Sequence, residues 1–122
     1  MAIRIASAVL TLAGLLALIS GVLFWTGTAL NLMALHMLLG FLAVGALWVI
    51  GVAQAFAPRG SWVIAAGALI VGAVMILFGM MQSSLLPGEF HWIIQVIHLA
   101  FGLLTIGIGH MAAARSHRVR ET

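Results

Sequence analysis

Four long apolar segments, separated by short breaks rich in polar residues, proline and glycine, set the pattern of hydrophobic and polar positions along the chain. A helix needs about 20 mainly apolar residues to cross a bilayer. The pattern predicts spanning helices at about residues 5–25, 32–57, 61–81 and 90–114. Because the connections are short, neighbouring helices should be antiparallel. We therefore predict an all-α, integral membrane, up-down-up-down four-helix bundle that forms one transmembrane domain over residues 1–122.

The breaks between the segments carry residues that cap helices. Asn31 is a suitable N-cap for the second helix, and Ser61 is a suitable N-cap for the third. Glu89 stands just before the fourth helix, where a negative charge stabilises the positive end of the helix dipole. These positions define where the predicted helices begin.

Composition excludes several classes of protein. Hydrophobic residues make up 65% of the chain and charged residues only 6%, whereas about a quarter of a soluble domain is charged. The absence of cysteine excludes disulfides, thiolate metal sites and covalent c-type haem attachment. The net charge of +3 comes from scattered arginines, which in a membrane protein are topology signals. No nucleic-acid partner is predicted.

The arginines predict the orientation. Arg4, Arg59 and the arginines of the basic tail at 115–122 fall on one side of a four-span arrangement, while Glu89 falls on the other. Because cytoplasmic loops carry an excess of basic residues, both termini are predicted to be cytoplasmic. The expected location is a bacterial inner membrane, with the tail lying against membrane lipid.

An internal repeat links the second and fourth segments. The runs His36–Gly45 and His98–Gly107 align without gaps, and both read H-x-x-x-G-x-L-x-x-G. A weaker match pairs Gly21 of the first segment with Gly79 of the third. Two repeated helical hairpins would place the second and fourth helices diagonally, with His36 and His98 at similar depth in the half opposite the arginines.

The two histidines need a partner, because polar side chains are costly inside hydrocarbon and such residues usually mark functional sites. We predict that His36 and His98 bind a metal centre. Glycines lie one helical turn from each histidine, and two more lie at about the same depth on the intervening helices. Because glycine has no side chain, these four positions would leave a slot between the helices for a flat macrocycle. The predicted slot residues are Gly21, Gly40, Gly79 and Gly102.

The face of the fourth helix that carries His98 continues towards the non-cytoplasmic surface. His91 and Gln95 lie on that face at helical intervals. Thr105 and Gly109 continue it in the other direction. If a haem is bound, its propionates should point outwards, and His91 and Gln95 would hydrogen-bond them.

With these features the chain resembles the membrane b-type cytochromes built on a four-helix bundle, including the haem-bearing cores of quinol-oxidising and ascorbate-linked cytochromes b. The resemblance rests on His36 and His98 with the glycines that follow them, and on the four-span layout. It implies bis-histidine ligation of a non-covalent haem b. Two-haem members carry a second histidine pair further along the same helices. Here His110 has no counterpart within 47–51, so one haem is predicted.

A single haem in one leaflet favours electron exchange with a quinol or redox protein on one side of the membrane. The chain contains no constellation of acid, base and nucleophile, so an electron carrier is expected rather than an enzyme that converts a substrate. A transporter is disfavoured because no carboxylate lies between Arg4 and Glu89.

Several alternatives remain open at this stage. The two histidines are also compatible with a hydrogen-bonded pair that binds no metal. The protein is also compatible with an accessory or assembly subunit of a larger respiratory or photosynthetic membrane complex, or with a homo-oligomer. A copper-handling site is a further alternative, because Cu(I) accepts thioether and imidazole ligands. Its candidate ligands are Met33, His36, Met37, Met80, Met81 and His91, with Met37 expected to face away from Met33.

Overall fold

The protein is helical throughout its regular structure. A computed structural model describes residues 1–118, and no strand occurs within that range. The four long helices are α1 (Ala2–Trp25), α2 (Met33–Ala55), α3 (Trp62–Met81) and α4 (His91–Arg118). Each is long and apolar enough to cross a membrane. The all-α class and the four apolar helices are therefore confirmed.

The helix termini differ in detail from the sequence-based expectations. The Ser61 side chain caps α3 by accepting a hydrogen bond from the Ile64 amide at 3.4 Å. The expected cap at Asn31 is wrong, because Asn31 lies inside a short 3₁₀ turn over Leu30–Leu32. That turn leads directly into α2, whose N-cap residue is Leu32. No side chain caps the start of α2.

Helix α4 extends beyond the predicted start of the basic tail. It continues to Arg118 because Ala112, Ala113 and Ser116 remain buried against the bundle. Residues 119–122 of the predicted tail lie outside the described residues. The first part of the predicted tail is therefore part of the packed helix.

The four helices form a ring. Each helix contacts its neighbours in sequence, and α1 also contacts α4. Across the ring α2 contacts α4, whereas α1 and α3 make no contact among the described residues. The helices that carry His36 and His98 are therefore the diagonal pair that approach each other.

Tight packing is confined to the half of the bundle near the arginines. There the Arg115 guanidinium donates a hydrogen bond to the Arg59 carbonyl at 3.4 Å. Small residues dominate the core in this half and allow the helices to approach closely. The core consists of Ala6, Leu10, Ala13, Ala43, Ala46, Leu47, Ile50, Ala68, Ala112 and Ala113. The opposite half has few buried side chains and contains a cavity.

Gly109 is required for this core. A Cβ atom at Gly109 would collide with Cδ2 of Leu10, which is fully buried and has little room to move. We expect Gly109→Ala to destabilise the bundle by about 1–3 kcal/mol, as overpacking of a core typically does. The measurement is thermal unfolding in detergent.

Gly107 provides the matched control on the same helix. A Cβ atom at Gly107 would meet no atom within 4 Å, so Gly107→Ala should leave the unfolding temperature unchanged or slightly higher. Equal unfolding temperatures for the two variants would show that α1 and α4 do not pack as described.

Candidate functional site

A cavity of about 500 Å³ opens among the four helices in the half opposite the arginines. Its volume falls within the range of about 300–1,000 Å³ that is usual for small-molecule and cofactor sites. The structure brings to this cavity every residue that the sequence predicted for the haem site. These residues are Gly21, His36, Gly40, Gly79, His91, Gln95, His98 and Gly102.

His36 and His98 lie opposite each other in the cavity. Their ring centroids are 6.2 Å apart, their planes are inclined by 50°, and both residues are partly buried. An imidazole nitrogen binds a metal such as zinc at about 2.0–2.1 Å, so two imidazoles on opposite sides of one metal have ring centroids about 6 Å apart. The observed separation matches that spacing.

Ser20 forms a hydrogen bond with the His36 ring. The Ser20 hydroxyl lies 2.9 Å from the Leu16 carbonyl and 3.0 Å from the Ala17 carbonyl, both of which only accept. When the Ser20 proton is directed to one of these carbonyls, the Ser20 oxygen accepts a hydrogen bond from His36 Nδ1, which lies 2.9 Å away. The Nε2 atom of a neutral His36 then carries a free lone pair, which is the form that binds metals.

His98 lacks such a partner. Its Nδ1 atom is buried and forms no hydrogen bond with the part of the chain that the structure describes. In the repeat that aligns Gly21 with Gly79, the residue corresponding to Ser20 is Phe78, whose ring packs against Phe101 with centroids 6.1 Å apart. The two histidines are thus similar in position and different in support.

The four predicted glycines play two different roles. A Cβ atom at Gly21 would lie 3.3 Å from Cε1 of His36, and a Cβ atom at Gly79 would lie 3.3 Å from Cε1 of His98. These two glycines therefore let each ring sit against the neighbouring helix. Gly40 has no atom within 4 Å of such a position, and at Gly102 only Met75 Cε approaches, at 3.6 Å. The second pair keeps space open beside the histidines.

His91 and Gln95, which also line the cavity, differ in the hydrogen bonds that they can offer a ligand. His91 Nδ1 donates to the Leu85 carbonyl at 3.2 Å, which leaves Nε2 of a neutral ring as an acceptor only. A neutral His91 therefore donates no hydrogen bond to a carboxylate. Gln95 is partly buried and has an amide group with two N–H donors. Gln95 is the better suited of the two to bind an acidic group.

Sequence reasoning missed two residues beside His36. Ser20 forms a hydrogen bond with His36 Nδ1, and Phe24 packs edge-on against the His36 ring with centroids 5.2 Å apart. A signal for Ser20 was present, because it is the only hydroxyl-bearing residue between Leu12 and Trp25. No feature of the sequence distinguishes Phe24 from other apolar residues of α1.

Other residues of α2 and α4 differ in whether they line the cavity. Thr105 lines the cavity as expected, whereas Gly109 packs on Leu10. The expectation that Met37 faces away from Met33 is wrong, since both line the cavity. With 3.6 residues per turn, positions i and i+4 lie on nearly the same side of a helix.

The donors that meet here limit the kinds of metal centre that fit. Among the described residues, no three histidine, aspartate or glutamate side chains form a group able to hold a metal ion. A metal between His36 and His98 would therefore need its remaining ligands from thioethers or from a macrocycle. Comparisons with known protein families, with curated proteins and with solved structures find no match to this chain.

Proposed function

We propose that this protein is a membrane-embedded b-type cytochrome that carries one non-covalent haem b between His36 and His98 and acts in electron transfer. The observation that carries the proposal is the pair of partly buried imidazoles, 6.2 Å apart between ring centroids, in a cavity of about 500 Å³. When bound, haem supplies an iron that cycles between the ferrous and ferric states.

The residues of the chain fit this group in three ways. Ser20 leaves Nε2 of His36 free to bind iron. The buried Nδ1 atom of His98 has no hydrogen-bond partner among the described residues, so no such bond holds the ring away from a metal. Gly40 and Gly102 line the cavity beside the histidines, and a Cβ atom would meet no atom within 4 Å at Gly40 and only Met75 Cε, at 3.6 Å, at Gly102.

The absence of a second supported histidine pair favours a single haem. His110 lies outside the cavity and forms a hydrogen bond with Thr11 Oγ1 at 3.1 Å. The position corresponding to His110 in the repeat is Trp48. One haem near one surface fits electron exchange with a quinol or redox protein on that side.

The proposed topology is an up-down-up-down bundle of two repeated hairpins in the bacterial inner membrane. Arg115 beside Arg59 places the end of α4 next to the turn between α2 and α3, which supports antiparallel neighbours. The excess of arginine at this end supports cytoplasmic termini. Purification under native conditions distinguishes a free homo-oligomer from a subunit of a larger respiratory or photosynthetic complex.

Haem binding is tested directly on protein expressed in haem-replete cells and purified in mild detergent. We expect a red protein whose pyridine haemochrome gives about one haem b per chain, and whose reduced-minus-oxidised spectrum has a sharp α band. Colourless protein, even after incubation with hemin, would overturn the proposal.

A copper site is the second candidate, because the cavity also has several thioether groups in its wall. Met33, Met37, Met75 and Met80 line it together with both histidines, whereas Met81 does not. Soft ligands of this kind select Cu(I). If copper is the natural metal, the haem-free protein should bind Cu(I) in competition with a chelator. Met37→Leu and Met80→Leu should then weaken binding, whereas Met111→Leu, outside the cavity, should not.

A further inference from the structure

The two histidines differ in the hydrogen bonding of their Nδ1 atoms. His36 is held by Ser20, while the corresponding position beside His98 is occupied by Phe78. The two rings otherwise meet their neighbouring helices alike, as the matching distances of 3.3 Å at Gly21 and Gly79 show. The two settings differ in the hydroxyl group of Ser20 and in Phe24, which packs edge-on against the His36 ring; of these, only the hydroxyl group forms a hydrogen bond to a ring nitrogen.

A hydrogen bond to Nδ1 strengthens a metal-binding imidazole in two ways. It fixes the orientation of the ring, and it increases the basicity of the nitrogen that binds the metal. Loss of such a partner typically weakens metal binding by about 10–100-fold. His98 also keeps a buried Nδ1 without a hydrogen bond, which is an unfavourable state for a polar group. His98 is therefore the weaker ligand of the two.

We infer that His36 is the fixed ligand and His98 the exchangeable one, so that a small diatomic ligand of ferrous haem binds on the His98 side. This inference rests on the proposed haem site. If haem is bound between the two histidines, the diatomic molecule would take the place of His98 on the ferrous iron, while His36 would stay bound. No electron or proton is transferred.

The surroundings of His98 provide room for this exchange. Gly79 is exposed, and Gly102 leaves space in which Met75 Cε is the nearest atom, at 3.6 Å. Release of the His98 ring from a metal would cost no hydrogen bond at Nδ1, because that atom has no partner among the described residues. Release of the His36 ring would differ, because its Nδ1 atom forms a hydrogen bond with Ser20 that holds the ring in place.

Carbon monoxide is the probe for this inference. We expect the dithionite-reduced protein to bind it with a shift of the Soret band. The C–O stretching frequency in the infrared reports on the ligand opposite to it, which should be His36. Ser20→Ala should therefore shift this frequency and Ser20→Thr should restore it. Ser116→Ala should not change it, because Ser116 bonds the Ala112 carbonyl within α4 and lies outside the cavity.

The affinity for carbon monoxide in variants of Phe78, beside His98, provides a second, independent measurement. Phe78→Ser places a hydroxyl group at the position that corresponds to Ser20, and Phe78→Ala is its control because it removes the ring without adding a hydroxyl group. We expect carbon monoxide to bind Phe78→Ser about 10-fold or more weakly than Phe78→Ala. If either Phe78 variant fails to fold, the C–O stretching frequencies of the Ser20 variants still test whether His36 is the fixed ligand.

The outcomes separate this inference from the proposed function. Protein that binds no haem would remove both. Protein that binds haem but no carbon monoxide would overturn the inference and leave the cytochrome intact. An adduct whose C–O frequency is the same in Ser20→Ala and in the unmodified protein would also overturn it, because His36 would then not be the opposite ligand.

Discussion

Replacing either His36 or His98 with alanine should abolish the low-spin spectrum of the haem-loaded protein. In the proposed haem site each histidine supplies one of two imidazole ligands, and the centroids of the two rings are 6.2 Å apart. Removal of either leaves iron with one protein ligand from this pair. The sharp α band of the reduced protein should disappear, and haem content should fall by about 10-fold or more in His36→Ala. The measurements are the pyridine haemochrome and reduced-minus-oxidised spectra.

His110→Ala is the control for this prediction. His110 lies on the same helix as His98 but outside the cavity, so its replacement should leave both haem content and the α band unchanged. Size-exclusion chromatography in detergent checks that each variant remains folded. Unaltered spectra in both His36→Ala and His98→Ala, with folded protein, would show that the haem is held elsewhere.

Gly40→Ala and Gly102→Ala should reduce haem binding without loosening the bundle. Both glycines line the cavity. A Cβ atom at Gly40 meets no atom within 4 Å, and at Gly102 the nearest is Met75 Cε at 3.6 Å. The added methyl group would thus occupy space proposed for haem. We expect an affinity for hemin lowered by about 10-fold, equivalent to about 1.4 kcal/mol.

Stability should respond in the opposite direction. Alanine is favoured over glycine within a helix by about 0.5–1 kcal/mol, so the haem-free variants should unfold at the same temperature as the unmodified protein or slightly above it. Hemin titration and thermal unfolding of the haem-free protein measure the two effects separately. This combination distinguishes a filled cofactor space from general damage to the fold.

Gly45→Ala and Gly107→Ala are the matched controls, one on each helix. Neither residue lines the cavity, and a Cβ atom at either position would meet nothing within 4 Å. These variants make the same chemical change and should bind hemin normally. Equal hemin affinity in all four variants would place the cofactor away from Gly40 and Gly102.

Much of the fold was accessible from the sequence because long apolar runs are a strong local signal. Each run sets the length of one helix, and a polar side chain such as Ser61 marks where α3 begins. Asn31 shows the limit of this reasoning. A favourable capping residue does not act as a cap when the chain makes a 3₁₀ turn there.

The residues of the candidate site could be predicted from the sequence for a different reason. A repeat compares two parts of the same chain, so it identified His36 with His98 and Gly21 with Gly79 without any knowledge of their contacts. The structure brings all four to one cavity. Ser20 escaped notice because the repeat does not preserve it. Its role depends on the one hairpin in which it occurs.

The sequence by itself determined four apolar helices and the pairing of two histidines across a repeated motif, because both follow from periodicity and self-similarity along the chain. Only the tertiary structure decided that Ser20 holds His36 while Nδ1 of His98 has no partner, and that His91 is turned towards the Leu85 carbonyl. These contacts depend on how each helix is rotated and tilted against its neighbours. A mismatch of a few ångströms in that packing would break hydrogen bonds that no periodic pattern encodes.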